Sequence, residues 1–434
     1  MKKIFFLTIL IFILGSCKQA AINELSVDQP TFEVPFDQPS LVIKVHSSAP
    51  WGAMSDAEWC KVDYDSGSAS QEITVTLSPN ITTQARQTKI TITSGNGERQ
   101  ATVEIKQGAS DGKEYHYKIP VIFHILYQNK SDENQYVRQG WMAHVLAICN
   151  EIYANKAESH DTGKKGVDMN LEFVMATTTP SGKVLEEPGV ERKQISTEEM
   201  SCLDFMNTKD AVNAAMLWDL NRYINVFVYQ FAEPGILGVA HIPYTLKSYH
   251  LEGLSDGEYY LENSKPNYPH CVSINNSAIY VIPKPGYIAT NTITETLAHE
   301  LGHYVGLFHA FGNDHQDDKG NVISWKDDTD YCDDTPNYDR AGYEDWLDNY
   351  MNTTPPEKLK FPEMNIRTAI DGKKFVSRNI MDYYWTWSNE FTPDQRIRVR
   401  HVLNYSPLMP GPKLSRSLSR ADGPWTEPPI RAIQ

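Results

Sequence analysis

The sequence predicts an all-β sandwich of immunoglobulin type at residues 25–108, followed at 115–410 by an α/β (α+β) domain with a mixed sheet. Three observations carry that. Short β-branched segments with period-two alternation recur at regular spacing in the first part. Apolar strands alternate with a helical pattern in the second. The length of 434 residues suits about two or three domains at roughly 150 residues each. Hydrophobic residues at 41% and charged residues at 22% sit near globular averages, which excludes the disordered and fibrous classes. With 40 Lys+Arg against 55 Asp+Glu, the net charge of −15 has the wrong sign for a nucleic-acid partner.

Residues 1–17 stand outside the folded parts. Lys2 and Lys3 precede an apolar run at 4–14, and 11 residues are too few to cross a bilayer core of about 30 Å as a helix. Leu14-Gly15-Ser16-Cys17 follows and resembles a bacterial lipobox. That resemblance implies a cleaved signal peptide, a lipidated Cys17, and export to a bacterial membrane, the outer membrane being the expected one. An ordinary secretory signal with an incidental Cys is the alternative, and either one exports the chain.

In the first part, Leu41-Val42-Ile43-Lys44-Val45, Glu72-Ile73-Thr74-Val75-Thr76-Leu77, Lys89-Ile90-Thr91-Ile92-Thr93 and Ala101-Thr102-Val103-Glu104-Ile105 read as strands. Ser66-Gly67-Ser68 and Ser94-Gly95-Asn96-Gly97 read as turns. Leu25-Ser26-Val27, Ala49-Pro50-Trp51, Asp56-Ala57-Glu58-Trp59 and Ile105-Lys106-Gln107 together resemble a BACON module. Its family name implies glycan contact. Trp51 and Trp59 are either stacking faces for a sugar or core residues, the second being the commoner use of Trp in a small sandwich.

After a polar link at 109–113, Ile119-Pro120-Val121-Ile122-Phe123-His124-Ile125-Leu126-Tyr127 reads as a buried strand. Residues 137–157 read as a helix with Trp141, Val145, Ile148 and Ile152 on one face. Leu171-Glu172-Phe173-Val174-Met175 and Tyr223-Ile224-Asn225-Val226-Phe227-Val228-Tyr229 are further strands, and Gly235-Ile236-Leu237-Gly238-Val239-Ala240 reads as a glycine-bounded edge strand. Residues 411–434, rich in Pro, Ser and Arg, read as a loose tail. Besides Cys17, Cys60, Cys149, Cys202, Cys271 and Cys332 allow at most two disulfides, and no CxxC spacing suggests a cysteine metal site. Cys149, in an apolar run, reads as a buried thiol, and Cys60 as a core residue rather than a latency thiolate.

The chemistry sits in His299-Glu300-Leu301-Gly302-His303-Tyr304-Val305-Gly306-Leu307-Phe308-His309. Thr292-Ile293-Thr294-Glu295 fits a capping box ahead of it. Leu297, Leu301 and Val305 recur every four residues and give the helix a buried stripe. His299 and His303 are also four apart, so both imidazoles leave one helix face, where they can share one Zn²⁺. Glu300 points beside the metal and suits a general base acting on the water a metal activates. Gly306 should end the helix in a left-handed conformation and let His309 return to close a three-histidine site with one open position. The other histidines, His124, His241 and His315 among them, read singly as structural.

This pattern resembles the metzincin metallopeptidases. Ser377-Arg378-Asn379-Ile380-Met381-Asp382-Tyr383 matches their methionine turn. The resemblance implies Met381 as an apolar floor beneath the metal and Tyr383 as a donor to the oxyanion. Phe391-Thr392-Pro393-Asp394-Gln395-Arg396, Ile119-Pro120-Val121, Gly238-Val239-Ala240-His241-Ile242-Pro243 and Cys332-Asp333-Asp334-Thr335-Pro336 point to the pappalysin-like family across most of 115–405. That family carries a Cys between the turn tyrosine and the Phe-Thr segment. None stands between Tyr383 and Phe391, so Cys332 lacks its mate and Cys271 is the substitute considered. Tyr384, Trp385 and Trp387 fill the gap, as pocket walls or as packing. Nine aspartates between Gly312 and Asp339, including Asp327, Asp328, Asp330, Asp333 and Asp334, suit either Ca²⁺, which related peptidases bind here, or a solvated acidic loop.

The expectation is therefore a zinc endopeptidase acting on extracellular or periplasmic protein or peptide substrates. Its rivals are a surface glycan-binding lipoprotein with a vestigial peptidase domain, and a zincin whose third ligand is a downstream Glu.

Overall fold

The computed structural model describes residues 24–433 except 39, 58, 63–64, 78, 95–96, 158–162, 208–210, 258–267, 282–291, 312–314, 317–321, 324–329, 384 and 415–429. Cys17 and the signal segment lie outside the described residues. The chain forms two compact units, Met1–Gly112 and Lys113–Gln434.

In the first unit, period-two alternation puts one face of each strand inward. Leu25–Val27, Ser40–Ser47, Gln71–Leu77 and Cys60–Val62 form one antiparallel sheet. Thr31–Val34, Arg99–Gln107, Arg86–Ser94, Trp51–Ser55 and Ser66–Gly67 form the other, with Thr31–Val34 parallel to its neighbour. Ile43, Val45, Ile73, Val75, Ile90, Ile92, Val103 and Ile105 meet between them in one core. Ser66 and Gly67, expected in a turn, pair instead with Gly52 and Trp51. Trp51 and Trp59 are 3% and 7% exposed. The Trp51 indole N–H donates to Ala69 O at 2.9 Å, and the Arg86 guanidinium lies 4.3 Å from the Trp59 ring. Both rings belong to the core and neither presents a free face to a sugar.

The second unit is built on a mixed sheet in the order Leu171–Met175, Tyr117–Tyr127, Ile224–Phe231, Val272–Asn275, Gly238–His241, Ile430–Ile433. Val190–Gln194 also pairs with Tyr117–Tyr127, and Glu199–Met200 with Ile224–Phe231. All these pairings are parallel except those of Gly238–His241, which runs antiparallel to both its neighbours. Buried on both faces, the central strands read as continuous apolar runs. The helix expected from 137 begins at Trp141, because Val137 has φ 43° and Gly140 has φ 79°, both outside helical space. This helix, Trp141–Tyr153, packs against Leu171–Met175 of the sheet and against Ile293–Tyr304, and Tyr153 OH donates to Ala298 O at 2.9 Å.

Two further expectations need correction. Residues 411–434 are not a loose tail throughout. Lys413 Nζ donates to Leu403 O at 2.7 Å, Tyr117 OH donates to Pro412 O at 2.9 Å, and Ile430–Ile433 is a strand of the main sheet. Backbone pairing, invisible to composition, overrides the polar, proline-rich character of the segment. Cys271 and Cys332 do not pair. Cys60, Cys149, Cys202, Cys271 and Cys332 are all buried, and no disulfide joins any two of them. Cys271 Sγ sits 3.3 Å from Met206 Sδ, while Cys332 Sγ donates to Asp330 O at 3.5 Å. Among the described residues no helix is long and apolar enough to cross a membrane.

Candidate metal centre

The site is carried by helix Ile293–Tyr304, here the site helix. Its start is fixed by a capping box: Thr292 Oγ1 accepts from Glu295 N at 3.4 Å, and Glu295 Oε2 accepts from Thr292 N at 3.2 Å. Its end is fixed by Gly306 at φ 99°, a conformation closed to ordinary side chains, with Leu307 N donating to Gly302 O at 2.9 Å. Arg398 Nε, from helix Pro393–Tyr405, donates to Gly306 O at 2.7 Å and holds the turn.

That turn brings His309 back to the helix. The ring centroids of His299 and His303 are 4.6 Å apart, those of His303 and His309 4.6 Å, and those of His299 and His309 5.2 Å. One ligand nitrogen from each lies within 4.8 Å of the others. His299 Nδ1 bonds to Ile380 O and His303 Nδ1 to Leu307 O, each at 2.8 Å. A carbonyl only accepts, so both Nδ1 atoms carry hydrogen, and in the neutral ring Nε2 presents the lone pair. His299 Nε2 is buried with no hydrogen-bond partner, and His303 Nε2 faces His309 Nε2 at 3.0 Å. Burial pushes His299 down to about 4, keeping it in the neutral form that ligates.

Glu300 is fully buried, and both its carboxylate oxygens lack a hydrogen-bond partner. Burial pushes its carboxyl well above the usual range. It lies against strand Gly238–His241, here the site strand: a Cβ on Gly238 would stand 2.5 Å from Glu300 Cγ and 2.8 Å from Oε1. Orphaned polar atoms in a buried setting are rare in native proteins unless something occupies the space between them. Three imidazoles beside a carboxylate form the donor set and outer group of a catalytic zinc, so these residues fit that ion.

Met381 is fully buried, with its sulfur pressed on Gly302 of the site helix, and its carbonyl accepts from Ala310 N at 3.0 Å. The Tyr383 ring is 4.6 Å from that of His309 and 5.7 Å from that of His299. The Arg340 guanidinium lies 4.5 Å from the same ring. His299, Glu300, His303, His309, Met381 and Tyr383 are therefore assembled in one place. No carboxylate joins the three histidines among the described residues, so the geometry offers no Glu as third ligand.

A buried cluster under the turn was missed from sequence. Asp382 accepts from Tyr338 OH at 2.5 Å and from Tyr383 N at 2.8 Å, and also from Ser377 Oγ. Arg367, 1% exposed, stands 3.6 Å from Asp382 and donates to Tyr383 O at 3.1 Å. The pair is 15 positions apart in sequence, in no periodic pattern, and a buried Arg runs against compositional expectation.

Of the remaining candidates, those that are described have structural partners. His124 bonds Glu191 and Asn225, each at 2.9 Å. His241 Nδ1 accepts from Cys271 N at 3.2 Å, and the His315 side chain lies outside the described residues. Asp327, Asp328 and Tyr384 also lie outside them. Asp330 accepts from Cys332 N at 3.1 Å and Thr335 Oγ1 at 2.5 Å, while Asp334 accepts from Asp394 N at 2.9 Å. These carboxylates brace a turn and a helix start, and among the described residues they form no Ca²⁺ cage. Trp387 packs edge-on to Phe361 at 4.9 Å, and Trp385 packs on the same residue at 6.3 Å.

Residues 260–404 match a peptidase family model described as Pregnancy-associated plasma protein-A. That stretch is of metallopeptidase type. Residues 49–108 match the BACON model, described as a putative binding domain, N-terminal. Among solved structures, mature mirolysin of Tannerella forsythia in complex with a cleaved peptide is 20% identical, covering 66% of this chain and 92% of that one at a TM-score of 0.42. A promirolysin mutant of the same organism is 20% identical over 68% and 84%, at 0.43. A Bacteroides ovatus xyloglucanase is 13% identical over 48% and 55%, at 0.20. No curated protein matches the chain.

Proposed function

We propose that the protein is a zinc-dependent endopeptidase, exported and anchored to a bacterial membrane through lipid on Cys17. One observation carries the catalytic part: His299 and His303 bond carbonyls through Nδ1, one ligand nitrogen from each of His299, His303 and His309 lies within 4.8 Å of the others, and the unpaired carboxylate of Glu300 stands next to them. His299, His303 and His309 would hold the ion. When bound, zinc supplies Lewis-acid chemistry, acidifying a water and polarising a peptide carbonyl.

The chain's own residues do the rest. Glu300 Oε takes a proton from the attacking water and passes it to the leaving amine. The low-dielectric pocket that leaves Glu300 without a partner also sharpens its interaction with a nearby proton donor. The Tyr383 hydroxyl donates to the oxyanion as the carbonyl becomes tetrahedral. Asp382 and Arg367, bonded to the amide and carbonyl of Tyr383, hold the backbone from which that hydroxyl projects.

Glu300→Ala keeps about one zinc per chain by metal analysis and lowers turnover of a peptide library by about 10²–10⁴-fold. Full activity in that variant would refute the assignment. Cys17→Ser moves the activity from the membrane fraction to the soluble fraction. Unchanged membrane retention would remove the lipid anchor from the reading.

A further inference from the structure

The site strand Gly238–His241 has two edges. One pairs with Val272–Asn275. The other pairs antiparallel with Ile430–Ile433, with Gly238 opposite Ile433, Val239 opposite Ala432, Ala240 opposite Arg431 and His241 opposite Ile430. Without that second partner, the N–H and C=O groups on this side of Gly238–His241 would form the edge of the main sheet. Such an edge is a template for any extended chain, and main-chain pairing is how extended peptides are commonly held.

The position of this edge gives it significance. Gly238 lies against Glu300. Cα atoms of Ile430–Ile433 also approach those of the site helix to within 8 Å. A segment laid along this edge therefore runs beside the helix that carries His299, Glu300 and His303. A substrate peptide must pass there for Glu300 to exchange protons with it. Among the described residues of the first unit, Cys60 is 1% exposed within the sandwich core and offers no thiolate for latency.

We propose that Ile430–Ile433 is an internal occupant of the peptide-binding edge, so that this segment and substrate compete for one strand position. The substrate half of the statement rests on the peptidase reading; the seat of Ile430–Ile433 on the site strand does not. A tethered segment faces its edge at an effective concentration of about millimolar. A free peptide at micromolar concentration then gains the edge only with a roughly thousandfold better intrinsic fit, or once the segment is displaced. Occupancy of this kind raises KM and leaves kcat alone.

The test is Arg431→Pro/Ala432→Pro in the full chain. Consecutive amides of a strand point to opposite sides, so one of the two prolines must remove a rung from the ladder. The probe is a labelled synthetic peptide of residues 428–434, titrated by fluorescence anisotropy in a Glu300→Ala background so that it is not cut. The proline chain should bind it at least tenfold tighter than the parent. With Glu300 intact, KM for library peptides should fall by a similar factor at constant kcat. Equal probe affinity in the two chains overturns the proposal. If the proline chain misfolds, hydrogen exchange on the unmodified chain decides. Millimolar substrate peptide must then speed exchange at 430–433 while 238–241 stay protected, and unchanged exchange at 430–433 overturns the proposal. Probe binding that differs as expected, with no cleavage by either chain, defeats the hydrolytic reading and leaves the strand competition standing.

Discussion

Glu300 has a bare glycine for a neighbour, and that pairing decides how freely its carboxylate is placed. A methyl group on Gly238 would stand 2.5 Å from Glu300 Cγ, so Gly238→Ala must push the side chain aside. The three atoms nearest that methyl all belong to Glu300. The expected outcome is full zinc content with kcat lowered on the order of 10²-fold, the usual cost of a displacement near 1 Å at a reacting group. Metal analysis beside steady-state kinetics checks it, and an unchanged kcat would show that Glu300 does not depend on this contact. Residues such as His299, Glu300, His303 and His309 were legible because helix geometry alone brings three of them together and one glycine turns the chain for the fourth. Gly238 and Arg367 were not legible as parts of the site. Their roles exist only once distant segments meet, and neither residue type signals its partner locally.

At the scale of elements, the site helix is specified by its ends. The Thr292–Glu295 box starts it and Gly306 stops it, and both were readable because capping chemistry is local. The helix at 141 shows the opposite case: apolar periodicity placed its start four residues early, because the left-handed turns at Val137 and Gly140 leave no trace in periodicity. The stop at Gly306 carries a double demand. Its φ of 99° disfavours any Cβ, and a Cβ there would also lie 2.5 Å from Val402 Cγ2. Gly306→Ala should cost about 2–4 kcal/mol from backbone strain and overpacking together. It should also weaken zinc binding, because His309 hangs on this turn. Adding Val402→Ala should restore only the packing part. Thermal melts of the two variants, with zinc titrated by a competing chelator, separate the terms. Complete recovery in the double variant would mean that backbone conformation contributes nothing.

At the scale of the whole molecule, the main apolar core of each unit is closed separately. One lies between the two sheets of the first unit; the other surrounds the mixed sheet and its helices in the second. The first was legible because alternating strands declare their inward face one residue at a time. The second was legible only in part. Val272–Asn275 and Ile430–Ile433 are four-residue strands whose place depends on partners far along the chain, and short strands of this kind carry little local signal. Each core belongs to one unit, and every residue assigned to catalysis lies in the second, so stability and activity should divide along the same line. Cutting between residues 108 and 116 should release a fragment from 113 onward that keeps its zinc and its kcat/KM within about twofold, while 24–112 stays folded on its own, as domains of roughly 60 to 100 residues can. Calorimetry of the intact chain should then resolve two transitions, with only the later fragment's transition shifting on zinc removal. A single cooperative transition that moves as a whole with zinc, together with an unfolded 24–112 fragment by circular dichroism, would mean that the first unit draws its stability from the second, and the division of labour between the cores would have to be abandoned.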